Sequence, residues 1–230
     1  MPKSKITKHN YVTFTDDYIL ELKRCLDKLD RRQIGRALDL LVQAYSNKRT
    51  IFIMGNGGSA SNASHMACDL GKGTLQRHYD ETESRVKVVS LTDNVAILTA
   101  FANDISFEDI FMQQLRNLVM KDDVIIAMSG SGNSKNVIKA VSYAKRCGAK
   151  TIGFLGFKTG GRLANMVDCA IVVNSMHYGP CEDIQLVLDH IMTSWIAKLK
   201  SLHDGLENIP QENKAVPFKV YEPKKSISRK

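Results

Sequence analysis

The sequence predicts an α/β fold in which a five-stranded parallel sheet is flanked by helices on both faces. Short runs rich in Ile, Val and Leu alternate along the chain with longer segments of helical periodicity. Strands with continuous apolar runs are typical of parallel sheets that are buried on both faces. Glycine-rich segments at 55–58 and 129–132 follow two of these runs, and such loops at the carboxyl ends of parallel strands are where α/β proteins bind ligands.

The composition excludes several classes of protein. Among the 230 residues, 43% are hydrophobic and 24% are charged, as in ordinary globular domains. No stretch approaches the roughly 18 apolar residues of a membrane span, and the N-terminus lacks the apolar core of a signal peptide. The five cysteines have no metal-ligand spacing, which indicates reduced thiols. We therefore expect a cytoplasmic protein without a membrane partner.

The formal net charge is +8, which suits acidic partners such as phosphorylated metabolites or nucleic acid. Much of the excess lies in residues 203–230, which lose helical periodicity and are predicted to form an extended basic tail. The aromatic residues of this tail are Phe218 and Tyr221, too few for a base-stacking platform. We therefore do not expect a nucleic-acid partner.

The N-terminal region predicts a helical pair in front of the sheet. Residues 1–14 are polar and are expected to be flexible. From Thr15 to Tyr45, apolar residues recur at helical spacing, with a break near Asp30. Thr15 is a candidate N-cap for the first helix. We expect this pair to belong to a single domain that covers residues 15–202.

The remaining elements alternate between strand and helix. Strands are predicted at 51–54, 86–91, 124–128, 151–155 and 170–173. Besides the helix after the first strand, helices are predicted at 94–102, 106–119, 133–146, 160–166 and 182–202. Asn103 and Asp104 are expected to join two of these helices, and residues 73–84 are polar and predict a loop.

The first glycine loop, GNGGS at 55–59, lies between an apolar strand and a helix. That arrangement points backbone N–H groups and a helix N-terminus towards an anion, and glycines let the backbone approach a ligand closely. Gly55 and Gly57 fit the dinucleotide fingerprint, whereas Ala60 takes its last position. Because alanine is tolerated at that position, the mismatch excludes a dinucleotide site only weakly.

The second loop, SGSGNS at 129–134, offers three hydroxyl groups beside a helix N-terminus, from Ser129, Ser131 and Ser134. Short donors and a helix dipole suit a phosphate group. No GK[ST] sequence follows, so the loop is not a Walker motif. A serine-rich turn with a helix cap would look the same in isolation. Its position between a buried strand and a helix favours a phosphate site.

Two helices carry side chains that could bind a metal ion. His65 and Asp69 are four residues apart on one helical face, although a histidine capped by a carboxylate is the simpler alternative. Glu182 and His190 are about 12 Å apart along the last helix and roughly 80° apart around it, a spacing that does not by itself make them ligands of one ion. The competing ligands nearby are His177, Asp183 and Asp189.

Four segments resemble the sugar isomerase (SIS) domain family: GNGGSASNASH, FANDISFEDIF, SGSGNSKNVIKA and the final helix as far as His190. Within that family they are most similar to the phosphoheptose isomerases. These enzymes interconvert sedoheptulose 7-phosphate and D-glycero-D-manno-heptose 7-phosphate and thereby supply heptose for bacterial surface polysaccharides. The resemblance covers about Thr15 to Leu202. It implies a phosphosugar substrate, a zinc ion and a homotetramer with active sites at subunit contacts.

The resemblance also implies roles for individual residues. Asp69 and His190 would act as acid and base while a proton moves between C1 and C2 through an enediol. The zinc ligands would be His65, Asp69, Glu182 and His190. The substrate would be bound by Asn56, Gly57, Gly58, Ser59, Asn103, Asp104, Ser129, Gly130, Ser131, Ser134 and Glu182.

The chain departs from the family pattern at four positions. Asp69 stands where the family has Glu, Glu182 where it has Gln, Gly130 where it has Thr, and Gly179 where it has Asp. The resulting donor set still suits zinc, and also iron or manganese. The departures leave two alternatives open. One is an isomerase for a different phosphosugar, and the other is a non-catalytic SIS regulator that binds the bacterial replication initiator.

Overall fold

A computed structural model of the protein describes residues 8–203. Residues 1–7 of the predicted flexible N-terminus and residues 204–230 of the predicted basic tail lie outside the described residues. Within residues 8–203, none of the helices combines the length and the apolar character that crossing a membrane requires.

Helices and strands alternate along residues 8–203, as predicted. The strands are β1 Thr50–Met54, β2 Lys87–Ser90, β3 Val124–Ser129, β4 Lys150–Leu155 and β5 Cys169–Val172. The helices are α1 Lys8–Asp27, α2 Arg31–Ser46, α3 Gly58–Cys68, α4 Val95–Asp104, α5 Ile110–Leu118, α6 Lys135–Arg146 and α7 Tyr178–His203. A π-helical turn at Asp69–Gly73 follows α3, and 3-10 turns lie at Phe107–Asp109 and Arg162–Asn165.

All five strands pair in parallel, in the order β2-β1-β3-β4-β5. This confirms the predicted five-stranded parallel sheet. The chain leaves β1 for β2 on one side and then crosses to β3 on the other, so the strand order reverses between β1 and β3. In sheets of this order, the crevice above the reversal point is where ligands bind. Both glycine-rich loops begin there.

The sheet is buried on both faces because alternate side chains of each strand point to opposite sides. In β1, Ile51 and Ile53 face a core formed with α1, α2, α3 and α7. Phe52 and Met54 face a second core formed with α4, α5 and α6. These two cores explain why the strands are continuously apolar.

The helical pair is present, but its first helix begins earlier than predicted. Helix α1 begins at Lys8, so residues 8–14 are helical, and Thr15 lies inside the helix, where its Oγ1 donates to the Tyr11 carbonyl at 2.8 Å. The predicted N-cap role of Thr15 is therefore wrong. The break near Asp30 is confirmed: the Asp30 carboxylate caps α2 by accepting the N–H groups of Arg32 and Gln33.

Helix α7 begins at Tyr178 instead of near Glu182, and two other elements also differ from the prediction. Helix α4 is capped by Asn94 and continues to Asp104, so Asn103 and Asp104 form its last turn instead of a connection. The helix predicted at 160–166 is the shorter 3-10 turn Arg162–Asn165. None of these differences alters the order of the elements.

The segment between the π-helical turn and β2 is held by a buried ion pair. Glu83 accepts the N–H groups of Gln76 and Arg77, and its carboxylate lies 2.7 Å from Nζ of Lys200 on α7. Both charged side chains are almost completely buried. The polar loop predicted at 73–84 is therefore fastened to the last turns of α7.

Candidate active site

The loops after β1 and β3 are joined across the crevice by two amide side chains. Asn56 and Asn136 donate to one another reciprocally, with both N···O distances at 2.9 Å. Asn136 is 2% exposed and also accepts the Val137 N–H, so it holds the Asn56 amide in one orientation. Sequence reasoning named Asn56 but missed Asn136. The available signal was an amide residue in the first turn of the helix after the second glycine-rich loop.

The second glycine-rich loop, residues 129–134 and here called the serine loop, folds back on itself in front of α6. Ser129 Oγ accepts the Gly132 N–H at 3.1 Å and lies 3.3 Å from Ser134 Oγ. Ser131 Oγ accepts the Asn133 N–H at 3.2 Å. Ser134 is the N-cap residue of α6, but its hydroxyl makes no capping hydrogen bond. The hydroxyls and the helix N-terminus are therefore brought together in a way that suits a phosphate group.

The segment 156–163, which follows β4, supports the serine loop. The Leu163 N–H donates to the Gly132 carbonyl at 3.0 Å, and the Arg162 N–H donates to Asn133 Oδ1 at 3.0 Å. Gly132 has φ +63°, and a Cβ there would overlap the Gly160 carbonyl. Only glycine suits such a close approach with positive φ. This support was not predicted, although its glycines are visible in the segment GFKTGGR.

Four potential metal ligands meet where α3 and its π-helical turn pack against α7. They are His65, Asp69, Asp189 and His190, and one ligand atom from each lies within 4.8 Å of the others. His65 Nε2 and His190 Nε2 lie 3.4 Å and 3.6 Å from Asp69 Oδ2, and 3.4 Å from each other. The structure thus brings together three of the four residues expected to bind zinc and adds Asp189.

Asp189 is the most informative member of this group because it is completely buried. Thr193 donates to its Oδ1 at 3.1 Å. Among residues 8–203, Oδ2 has no hydrogen-bond partner, and it lies 4.0 Å from His65 Nε2. Burial raises the pKa of Asp189 to about 6, against the opposing effect of the Thr193 hydrogen bond. An unpartnered buried oxygen is costly. A cation bound among these donors would satisfy it, so the residues present fit a metal ion.

Glu182, the fourth expected zinc ligand, lies outside this group. It lies about two helical turns before His190, at the start of α7, and its carboxylate covers Gly58 at the beginning of α3, where a Cβ would overlap it. Burial, together with the neighbouring Asp183, raises the pKa of Glu182. The structure therefore positions Glu182 at the first glycine loop.

The other competing ligands also lie apart from the metal-ligand group. The Asp183 carboxylate accepts the Tyr18 hydroxyl at 2.6 Å, and this hydrogen bond raises the pKa of Tyr18 to about 12. His177 precedes α7 and donates its N–H to Ser175. Neither residue belongs to the group of four ligands found in the described part of the chain.

Asn103 and Asp104 are exposed in the last turn of α4 and are linked to each other, with Asn103 Nδ2 donating to Asp104 Oδ1 at 2.8 Å. Within residues 8–203, no hydrogen bond or ion pair connects them to either glycine-rich loop. By contrast, Gly57 has φ +55° at the N-cap of α3, and Ser59 is buried in its first turn.

Comparisons with known proteins agree with this architecture. The sequence model of the SIS domain matches residues 16–156. A phosphoheptose isomerase of a Nitratiruptor species is 39% identical over 72% of this chain and 86% of its own length. One from Helicobacter pylori is 36% identical over 77% of this chain and 88% of its own length.

Solved structures give the same result. The phosphoheptose isomerase from Neisseria gonorrhoeae aligns with a TM-score of 0.75 and 29% identity, over 84% of this chain and all of its own. The one from Francisella tularensis aligns with a TM-score of 0.74 and 25% identity over the same shares. Together with the sequence match, these similarities show that the chain belongs to the SIS domain family and, within it, to the phosphoheptose isomerase family.

Proposed function

We propose that this protein is an aldose–ketose isomerase that interconverts sedoheptulose 7-phosphate and D-glycero-D-manno-heptose 7-phosphate, and so supplies heptose for surface polysaccharide. The observation that carries the proposal is the group His65, Asp69, Asp189 and His190. It lies at the end of the helix that begins at the first glycine loop. Family membership supports the same reaction.

The metal in this proposal is zinc, held by both histidines and by Asp69 and Asp189. We include Asp189 because its buried Oδ2 lacks a hydrogen-bond partner. Two imidazole nitrogens and two carboxylates form a set that zinc accepts. When bound, such an ion polarises the sugar carbonyl. Glu182 is assigned to the substrate because it lies over Gly58.

The acid and base in this proposal are Asp69 and His190. Since both are also proposed zinc ligands, each would bind the ion through one side-chain atom and transfer the proton through another. Their side chains approach to 3.6 Å from different elements and are both partly exposed, so a substrate can reach either one. One group would remove the proton from the carbon next to the carbonyl while the carbonyl oxygen takes up a proton, which gives the enediol. The former carbonyl carbon would then be protonated by the other group while the second enediol hydroxyl loses its proton and becomes the new carbonyl. General acid–base catalysis by positioned side chains contributes about 10²–10⁴-fold to a rate.

The two loops at the crevice would bind the substrate away from the reacting carbons. Ser129, Ser131 and Ser134 would hold the phosphate, and Asn56 would present its amide in the orientation set by Asn136. Binding energy from such remote groups can be used to position the reacting end. Gly57, Gly58 and Ser59 would border the same crevice. Asn103, Asp104 and Gly130 remain proposed substrate contacts as well.

The proposal includes a homotetramer in the cytoplasm. Helix α1 exposes several large apolar side chains in the single chain: Tyr11, Val12, Phe14, Ile19 and Leu20. An apolar surface of this kind is typical of an interface, and we assign it to further copies of the chain. All five cysteines are unpaired, which agrees with a reducing compartment.

Proton NMR of the purified protein with sedoheptulose 7-phosphate tests the proposal, with added zinc and with a chelator. We expect the aldoheptose phosphate to form and its formation to stop with the chelator. No turnover by a metal-loaded protein would refute this substrate and favour a different phosphosugar. No turnover together with no metal binding would favour the non-catalytic regulator.

A further inference from the structure

An aromatic ring lies beside the serine loop at the position where the side chain of residue 130 would be. A Cβ built on Gly130 would lie 3.0 Å from Cδ1 and 3.1 Å from Cε1 of Tyr178. Most real Cβ contacts are longer, so an alanine at position 130 would require the ring to shift by a few tenths of an ångström. The Tyr178 ring therefore borders the space that a side chain at position 130 would occupy.

The Tyr178 ring is held in this position by Phe157. The two rings meet edge to face, with centroids 4.9 Å apart and planes at 64°, an arrangement that aromatic pairs favour. Phe157 has φ +51°, a left-handed conformation that costs free energy in a residue with a side chain and is retained where surrounding structure imposes it. The backbone after β4 thus holds Phe157 against Tyr178.

The first turn of α7 is also fixed on the side of α1. A Cβ on Gly179 would lie 2.6 Å from the Tyr18 hydroxyl oxygen, which donates to Asp183 at 2.6 Å. Glycine at position 179 therefore lets Tyr18 reach α7. Gly130 therefore leaves room for Tyr178, and Gly179 leaves room for Tyr18.

The Tyr178 side chain remains available to a ligand because the residue is 58% exposed. Aromatic ring faces carry partial negative charge and attract polarised C–H groups, such as those of the hydroxylated carbon chain of a sugar. We propose that Tyr178 is a specificity-determining residue whose ring packs against the carbons next to the phosphate ester of an open-chain phosphosugar. This inference rests on the proposed function, because it assumes that the serine loop holds the phosphate.

Isothermal titration calorimetry with sedoheptulose 7-phosphate and with inorganic phosphate tests this role in Tyr178→Ala. We expect the sugar phosphate to bind about three- to tenfold more weakly, the range measured for aromatic contacts, while inorganic phosphate binds as in the wild type. Tyr178→Phe keeps the ring and should retain the wild-type affinity. Tyr79→Ala, which changes a fully exposed tyrosine, is the matched control.

Gly130→Ala provides a second, independent variant. In the wild-type background it should shift the ring slightly and weaken sugar-phosphate binding less than Tyr178→Ala does. In the Tyr178→Ala background this part of its effect should disappear, because the two positions share one contact. The proposal is overturned if Tyr178→Ala leaves both affinities unchanged or lowers both equally, or if the wild type binds no sugar phosphate. Binding without turnover in the wild type would refute the proposed reaction alone.

Discussion

The serine loop and the metal-ligand group achieve their geometry in different ways. In the loop, the polar groups bond one another: Ser129 and Ser131 accept N–H groups, and the Gly132 carbonyl is taken by Leu163. In the metal-ligand group, both histidine side chains are about half exposed, and a fully buried oxygen of Asp189 lacks a partner. The polar groups of the loop are thus largely paired within the described residues, whereas the metal-ligand group leaves a buried oxygen of Asp189 that a cation would satisfy.

Because of this difference, we expect substitutions in the serine loop and in the metal-ligand group to affect different properties of the protein. The backbone of the serine loop packs closely against neighbouring backbone. A substitution in the loop should therefore alter stability and phosphate binding together. Three members of the metal-ligand group, His65, Asp69 and His190, are partly exposed, so substitutions there should alter turnover and metal binding while the fold persists. The following substitutions in the two regions test this expectation, in order of decreasing expected effect.

Replacing either proposed proton-transfer group should abolish turnover. We expect Asp69→Asn and His190→Gln to lower the isomerisation rate by about 10²–10⁴-fold while thermal unfolding stays close to that of the wild type. Proton NMR of the reaction measures the rate, and circular dichroism measures the fold. A variant that keeps the wild-type rate would exclude its residue from proton transfer.

Gly132→Ala should have the largest effect on folding. Its Cβ would overlap the Gly160 carbonyl, at a residue with φ +63°, so we expect a loss of about 3 kcal/mol in the free energy of unfolding. Urea denaturation measures it. Gly35→Ala in α2 is the control, because its Cβ would meet nothing within 4 Å, and helix propensity predicts a gain of about 0.5–1 kcal/mol. Similar stabilities for both variants would contradict a loop that depends on close backbone contact.

Asp189→Asn should weaken metal binding by about 10- to 100-fold, the range found when groups that orient or complete a metal site are removed. Zinc should raise the melting temperature of the wild type, because it binds only the folded state, and should raise that of the variant much less. Asp183→Asn, on the same helix but outside the group of ligands, should behave like the wild type. Equal zinc affinity in Asp189→Asn and the wild type would remove Asp189 from the ligand set.

Asn136→Ala should give the smallest effect. It removes the partner that orients Asn56, and a lost hydrogen bond to a buried amide costs about 1–2 kcal/mol. We expect a modest loss of stability and a higher KM with a nearly unchanged kcat, measured by steady-state kinetics. A lower kcat at unchanged KM would instead indicate that Asn56 acts at the reacting carbons.

The fold was predictable because its signals are local. The run from Ile51 to Met54 is apolar on both faces, and such runs recur in alternation with helices. The first helix was predicted to start at Thr15 because a hydroxyl residue followed by helical periodicity is typical of an N-cap, yet the helix already begins at Lys8. Tyr11 and Phe14 continue the helical spacing of Tyr18 towards the N-terminus, but they are exposed in the single chain and were grouped with the polar residues before them.

The site was predictable only where its residues stand in recognisable segments. The two loops, His65, Asp69 and His190 were predicted in this way, and the structure brings the last three together. The π-helical turn at 69–73 has no sequence signature that identified it. Asp189 was one of several competing carboxylates, and only its burial and its unpartnered oxygen distinguish it. Such properties arise from packing between α3 and α7, which are distant in sequence.

The Glu83–Lys200 ion pair limits how far the chain can be shortened from its C-terminus without a loss of stability. A chain that stops after Leu199 would leave the Glu83 carboxylate in the interior without its counter-charge, and breaking a buried pair in this way costs about 3–5 kcal/mol. A chain that stops after His203 would keep it. A truncation used to attach a label or a fusion partner should therefore keep Lys200.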